Sequence, residues 1–529
     1  MALRGRVLVV ALAIAAIAAP CAWSAELSGV VKNQSGAPVT GALVKVKNVD
    51  RGVTVTVISR DGGRYQAANL LPGKHTVQGM GGGLESEPAE ILVDGSRATT
   101  RDVALTAPLN HRLNASMAEY STLMPDGAAK TIIVSLCTDC HYGGLQEILY
   151  SRRTRDQWAA TIAKMRKRPY GIVRSLDISD EQVEVVLDYL ASHYGPGAPP
   201  LDLSKMPKTL YPAAAAKSVI TEFSLPPGSD AHDVSVDSHG IGWVSEGGHG
   251  VIGRLDPQTF EYRRIPVPGE NAQATAIEVD AQDRVWLSDS SQNRLVRYDP
   301  KTEEFTSFFL PKPPGGRANL NTIRFHPDGT VWATGISSNQ IFHVDPRSKE
   351  VRAFDVPAGV ARGSNVNPYG MAIAPDGYVW FAERRSDKVG KVDPKTGEIM
   401  EIDIPTKGAV LRRMQTDKNG NLWFGQFGGV GKLAMIDYKT GKITEYPTPT
   451  KHAGAYSVDV DLTRNFIWVN EMMADQIARF DPQTKTFVEY PIGTKNSSVR
   501  RIEVDPSRPS RVWYTGLHVD TVGFVDVVE

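Results

Sequence analysis

The sequence predicts a multidomain, mainly β chain: a small β-sandwich, a helical domain and a seven-bladed β-propeller. Three observations carry this. Residues 26–107 alternate apolar and polar positions between Gly- and Asp-containing turns. Residues 127–194 instead show helical spacing and a helix-start signature. From residue 218 onward, seven tryptophans recur at intervals of 43 to 48 residues. Size agrees, since 529 residues exceed one compact domain. Lys+Arg and Asp+Glu both number 59. With no net charge and no basic tract, nothing favours nucleic acid or an anionic membrane.

The first 25 residues read as a secretory signal. Arg4 and Arg6 precede an apolar run from Val7 to Ala19, and small residues follow at Ala22–Ala25. The run is short for a bilayer span, so a cleaved signal and a periplasmic protein are expected. A retained N-terminal anchor is the competing reading. Pro20 stands directly before Cys21, which disfavours lipoprotein processing. No second long apolar run follows, so the mature chain is expected to lack a transmembrane segment.

Residues 26–107 read as the sandwich. Leu27–Val31, Ala42–Val46 and Thr54–Ile58 are strand-like, Asp61-Gly62-Gly63 is a turn, and Leu70–His75 marks another strand and turn. The order Gly-Val-Val, Gly-Ala-Pro-Val, Gly-Ala-Leu-Val, Asp-Gly-Gly-Arg-Tyr and Leu-Pro-Gly resembles the carboxypeptidase regulatory-like domain. That resemblance implies an accessory or interaction module without catalysis.

The cysteine count is informative. Cys21 lies in the signal, leaving Cys137 and Cys140, with His141 directly after the pair. Cys-x-x-Cys-His is the spacing of c-type haem attachment: two thiols for the two vinyl groups, and a histidine placed to reach the iron. A thioredoxin-like pair, a half zinc site and a disulfide compete. A zinc site needs further ligands that no second cysteine pair supplies, and a thioredoxin-like site needs a βαβ context. One covalent haem is expected on Cys137 and Cys140, with His141 as iron ligand. Helical patterns run over 127–136 and 155–167, where Trp158, Ile162 and Met165 share a face. The capping box Ser179-Asp180-Glu181-Gln182 opens a last helix that Gly195-Pro196 ends. Residues 118–194 resemble a mono-haem cytochrome c domain, assigned here to 108–194. Met165 is the candidate sixth ligand; it also reads as an ordinary core methionine, and Met124, Met206 and His193 are alternatives. Residues 195–217 form a Pro/Ala-rich, semi-rigid linker.

Residues 218–529 repeat a four-strand unit, the mark of a propeller. The units carry Trp243, Trp286, Trp332, Trp380, Trp423, Trp468 and Trp513, and third strands end in Asp-Pro-x-Thr or variants such as Asp256-Pro257 and Asp393-Pro394. The last unit has three strands, and Val219–Leu225 is available as its fourth, which closes the ring. The run Pro375–Glu383 with Val389–Pro394 resembles the virginiamycin B (streptogramin) lyase family of seven-bladed propellers.

Aligning the units places His232, Thr275, Asn321, Tyr369, Arg412, Tyr456 and Arg500 at first-strand starts. Second-strand ends hold Glu246, Asp289, Gly335, Glu383, Gln426, Glu471 and Gly516. One mouth is expected to gather both sets, either paired with one another or binding a ligand. Catalytic candidates are Glu246, His232, Glu383, Glu471, Arg412 and Arg500. The lyase resemblance implies a metal, usually Mg²⁺, held with a Glu-x-His pair and another His. The sequence departs from it: Met472-Met473 follow Glu471, Gly516 stands where the Glu would precede His518, and His249 lies one residue too far from Glu246. Three functions are open: electron transfer by the haem coupled to substrate or partner binding, a metal-dependent lyase in the propeller, and a binding or sensing scaffold. A periplasmic redox partner or a small-molecule substrate is the expected counterpart.

Overall fold

The computed structural model describes residues 25–528 except 96, 139–143, 168, 171–172, 175–177, 314–315, 364 and 430. Residues 1–24 of the expected signal segment, Cys140 and His141 therefore lie outside the described residues. The chain is mainly β, with a propeller and a small β-domain, and helices occupy the stretch between them.

The small domain packs two sheets. Ala25–Lys32 pairs antiparallel with Arg64–Leu70 and parallel with the short strands Thr99–Thr100 and Val103–Ala104. Opposite lies the sheet of Val53–Ile58, Leu43–Asn48 and Gly73–Gly81. Leu27, Val31, Val44, Val46, Val55, Tyr65 and Val77 fill the space between them. This is the period-two pattern resolved into an inward and an outward face.

Six complete blades follow, each a four-stranded antiparallel meander, from Ala231–Pro266 in blade 1 to Ala455–Pro491 in blade 6. Blade 7 is made from both ends of the propeller segment. Ile502–Val504, Arg511–Gly516 and Thr521–Val527 receive Ser218–Ser224 as the outer strand, with Val219 opposite Asp526 and Phe223 opposite Val522. The repeated residues have repeated jobs. Each of the seven tryptophans is buried. In four blades the indole N–H donates to an aspartate six or eight residues earlier, at the end of the preceding strand: Trp243 to Asp237 at 2.9 Å, Trp286 to Asp280 at 2.8 Å, Trp423 to Asp417 at 2.9 Å and Trp513 to Asp505 at 3.2 Å. The Asp-Pro-x-Thr turns are closed by the aspartate carboxylate, which accepts the backbone N–H two residues on, as in Asp256 with Gln258 and Asp393 with Lys395. The intervening proline has no N–H to compete for that oxygen.

The outer strand of blade 7 is not an edge. Val53–Ile58 of the small domain pairs antiparallel with Ser218–Ser224, Val57 opposite Val219 and Val53 opposite Phe223. One hydrogen-bonded sheet thus runs from the small domain into the propeller. The stretch expected as a linker is pinned along this junction: Tyr211 N–H donates to Gly41 O at 2.8 Å, and the Thr209 hydroxyl to Glu119 Oε1 at 2.7 Å.

The helical stretch comprises α1 (His111–Asn114), α2 (Met117–Ser121), α3 (Ala128–Ile132), α4 (Gly144–Tyr150), α5 (Arg155–Lys167) and α6 (Asp180–Tyr194). α3 continues as a π-helical turn, Ile133–Cys137. The Ser179/Gln182 capping box forms as the spacing predicts, and Gly195 caps the end of α6. Trp158 and Ile162 of α5 are buried with Val186, Leu187 and Leu190 of α6. These helices do not stand apart from the propeller: their core is continuous with Ile336, Tyr369, Val410, Phe427, Tyr456, Met472 and Met473. The helical stretch caps one mouth of the central channel.

Candidate functional site

The channel wall is built by a repeated backbone irregularity. In the inner strand of each of blades 1 to 6 the register shifts just after the first residue, as between Ala231 and Val234 or Leu411 and Met414. Two residues there oppose one on the neighbouring strand, the arrangement of a β-bulge. Pairs of consecutive residues reach the channel in consequence: His232-Asp233, Tyr369-Gly370, Arg412-Arg413 and Tyr456-Ser457, with Arg500-Arg501 at the matching place in blade 7.

The first members of these pairs form the mouth. The Arg412 guanidinium lies 4.5 Å from the ring centre of Tyr456, 4.6 Å from Phe427 and 5.4 Å from Tyr369. Arg500 donates to the Tyr456 hydroxyl at 3.2 Å and lies 5.3 Å over its ring. The Tyr369 and Tyr456 hydroxyls share a short hydrogen bond. Arg384 sits 6.0 Å over Tyr369. Burial raises the Tyr456 phenol, but Arg500, Arg412 and Arg413 outweigh it and hold it down at about 7. Burial and the neighbouring Tyr456 push Tyr369 up.

The second members lie deeper and are paired. Arg413 Nη2 is 2.8 Å from both Asp233 oxygens, and His232 Nδ1 is 2.8 Å from Asp233 Oδ1. Further along, Arg501 binds Glu278 at 2.7 Å and also Glu503, while Arg324 binds Glu278 at 2.9 Å. Burial among Glu278 and Asp459 lifts Glu503 to about 7 against the pull of Arg501. This layer plugs the channel beneath the mouth.

Of the expected mouth residues, the structure brings Tyr369, Arg412, Tyr456 and Arg500 together, while His232 is engaged by Asp233 of its own pair. It does not bring the second-strand carboxylates to them. Glu246, Glu383 and Glu471 pair in register with Ala231, Pro368 and Ala455, the residues before the bulges. Their side chains run outward across the blade. Glu246 is bound by Arg264 at 2.9 and 3.1 Å and by the Tyr262 hydroxyl at 2.7 Å. Glu383 accepts from Ser386; burial and Glu401 raise it to about 8. Glu471 is raised by burial and Glu489. Asp233, Arg413, Arg501 and Arg384 were not singled out from the sequence. The doublets His232-Asp233, Arg412-Arg413 and Arg500-Arg501 were the available signal, legible only once a bulge is assumed. Among the described residues no group of three His, Cys, Asp or Glu side chains is placed to hold a metal ion. The ligand set for Mg²⁺ in this mouth is thus not present among them.

The cap brings Cys137 and Thr138 to this mouth. Cys137 is half-buried and packs against the shared apolar core. The Thr138 hydroxyl lies 3.7 Å from Met473 Sδ, the Ser135 hydroxyl accepts from Gly429 N–H at 2.8 Å, and Ala118 N–H donates to Met473 O at 2.8 Å. Met165 is half-buried on α5. Met124 and Met206 are buried in the core that Cys137 touches, and His193 is exposed beside Tyr189, with ring centres 4.8 Å apart.

The virginiamycin B lyase family model matches residues 260–529, just over half of the chain. The chain belongs to the virginiamycin B lyase family. The carboxypeptidase regulatory-like domain model matches residues 26–106. Among solved structures the chain is similar to virginiamycin B lyase from Staphylococcus aureus, at 21% identity and a TM-score of 0.52, over 59% of this chain and 100% of that one. It is similar to a streptogramin B lyase at 24% identity and a TM-score of 0.53, over 59% of this chain and 99% of that one. A catalytically inactive variant of the Staphylococcus aureus enzyme with quinupristin aligns at 20% identity, with a TM-score of 0.52, over 59% of this chain and 100% of that one. At these identities the likeness to the lyases is one of fold. No curated protein matches the chain.

Proposed function

We propose that this member of the lyase family is an exported, periplasmic c-type cytochrome whose electron transfer is coupled to what its propeller mouth binds. Cys137 and Cys140 would hold one haem covalently, with His141 as an iron ligand and Met165 as the candidate second ligand. The haem would supply one-electron chemistry. The single observation behind the reading is the docking of the Cys137 turn on the channel mouth, through Ser135, Thr138 and Met473. An apolar, water-poor surround suits a haem edge, and the core shared by Cys137, Tyr120, Leu145, Phe427 and Met473 has that character. The chain's own contribution is to present a cationic, aromatic mouth next to Cys137 and to seal the channel below it with the Arg413–Asp233 and Arg501–Glu278 pairs. A redox partner or a small molecule would be bound at that mouth.

The test is direct. The chain is produced in a periplasm with the c-type haem attachment apparatus, denatured, and examined for haem that stays with the polypeptide. One covalent haem is expected, absent from Cys137→Ala and Cys140→Ala. A wild-type chain without covalent haem would overturn the reading.

Family membership favours a second reading, a metal-dependent lyase in the propeller. It predicts metal-dependent turnover that Arg412→Gln or His232→Ala abolishes; turnover surviving both changes would exclude this mouth as its site.

A further inference from the structure

The small domain meets blades 1 and 7 along two cavities that run into one another. One, of about 880 Å³, lies against the sheet of Ala25–Lys32 and Arg64–Leu70. The other, of about 700 Å³, has the continuous sheet as its floor. Val55 of the small domain, Val219 and Thr221 of the closing strand and Phe524 of blade 7 share that face. Arg60, Gln66 and Val528 line both cavities, which makes them one trough. Turns of blades 1 and 7 with Gln258, Phe260 and Ser507 form the wall opposite the small domain. Pockets of this size at a domain junction are where ligands bind.

The lining decides the class of occupant. Aspartates and glutamates match lysines and arginines in number along the trough. Asp526 binds Arg511 at 2.9 and 3.0 Å and Arg508 at 3.2 Å, and Asp102 binds Lys32 at 2.6 Å. A lining balanced in this way draws in no ion of either sign. It offers donors and acceptors side by side instead. The exposed amides of Gln66, Asn69 and Gln258 each do both, as do the hydroxyls of Ser28 and Thr100. Neighbouring hydroxyls of a sugar ring also donate and accept, and its C–H face suits apolar surface such as Val219 and Phe260. An extended peptide shares that alternation, and Arg64–Leu70 is an edge strand. Its edge is broken: Ala68 and Asn69 stand opposite the single residue Glu26, and Asn69 has a φ of 57°. A bulged edge does not template another strand.

We propose that this trough between the small domain and blades 1 and 7 binds a neutral oligosaccharide. The amides of Gln66 and Gln258, from opposite walls, bond its hydroxyls, and Phe260 packs on a ring face. The site lies outside the channel mouth and holds whether or not the chain carries haem.

Cellohexaose, maltohexaose and N-acetylchitohexaose are the probes. Each is titrated calorimetrically into the full-length wild type, the Gln66→Ala/Gln258→Ala chain and Gln483→Ala, which removes an exposed amide of blade 6 outside the trough. At least one hexasaccharide is expected to bind the wild type and Gln483→Ala alike, and the double variant about tenfold more weakly. Both trough glutamines are exposed, so the thermal unfolding midpoint should not move with them. Affinity should be the same at low and high salt, because no net charge is involved. Failure of all three hexasaccharides to bind overturns the proposal, as does binding that the double variant leaves unchanged. A peptide of alternating Thr and Val that binds more tightly than every hexasaccharide also overturns it, and assigns the trough to strand addition.

Discussion

Arg413 of blade 5 and Asp233 of blade 1 are joined across the channel by two hydrogen bonds of 2.8 Å from a single guanidinium nitrogen. Both residues are buried, and Arg413 also donates to the Arg500 carbonyl at 3.1 Å. The pair ties opposite sides of the ring below the mouth. Removing one member leaves an uncompensated charge in the interior. Asp233→Asn is expected to cost about 3–5 kcal/mol, read as a fall in the thermal unfolding midpoint. Replacing both residues by apolar ones is expected to cost less than Asp233→Asn alone. Equal losses would show that the uncompensated charge is not what matters.

Tyr456 should ionise in the neutral range. Its folded value of about 7 lies below the ordinary value of 10.0, held there by Arg500, Arg412 and Arg413 against burial. The folded chain therefore releases this proton before the unfolded chain does. The resulting stability is present above pH 10, and is lost as pH falls through about 7. A phenolate absorbance step near neutral pH is expected in the wild type and absent in Tyr456→Phe.

Glu383 has the opposite sign. Burial and Glu401 raise it from 4.5 to about 8. Its contribution is fully present below pH 4.5 and is lost as pH climbs through about 8. Glu383→Gln keeps the neutral form at every pH. It should leave the unfolding midpoint unchanged in acid and raise it by a few degrees in mild alkali; a variant that tracks the wild type throughout would refute this.

The small domain should act as an edge cover. Ser218–Ser224 is paired on one side with Thr521–Val527 and on the other with Val53–Ile58. A chain lacking residues 26–107 exposes that strand's backbone along with apolar residues such as Val219. Open strand edges pair with other chains, so self-association is expected by light scattering. A stable monomer would contradict it.

For the proposed haem, Met165→Ala should remove the methionine-to-iron charge-transfer band at the red end of the ferric spectrum. An unchanged band eliminates Met165 and moves attention to Met124, Met206 and His193.

Much of the fold was legible because it rests on local rules. The tryptophan period, the Asp-Pro turns and the Ser179/Gln182 box each express short-range hydrogen bonding or side-chain periodicity, and all three form as their spacing implies. The candidate site was half legible. Aligning repeats picked out Tyr369, Arg412, Tyr456 and Arg500, which do converge. It also joined Glu246, Glu383 and Glu471 to them, although these sit one strand further out and face along the blade. The bulge that turns two consecutive residues into the channel leaves no mark in hydrophobic period, so Asp233, Arg413 and Arg501 stayed hidden.

The sequence by itself determined the order of parts, the number of blades and the strand near residues 219–225 that closes the ring, because each follows from patterns a few residues long. Only the tertiary structure decided where those parts meet. It set the small domain edge to edge with blade 7, and it placed the helices with Cys137 over a mouth of arginines and tyrosines. Those contacts join residues hundreds of positions apart through backbone pairing and apolar packing, and neither carries a periodic signature in the chain.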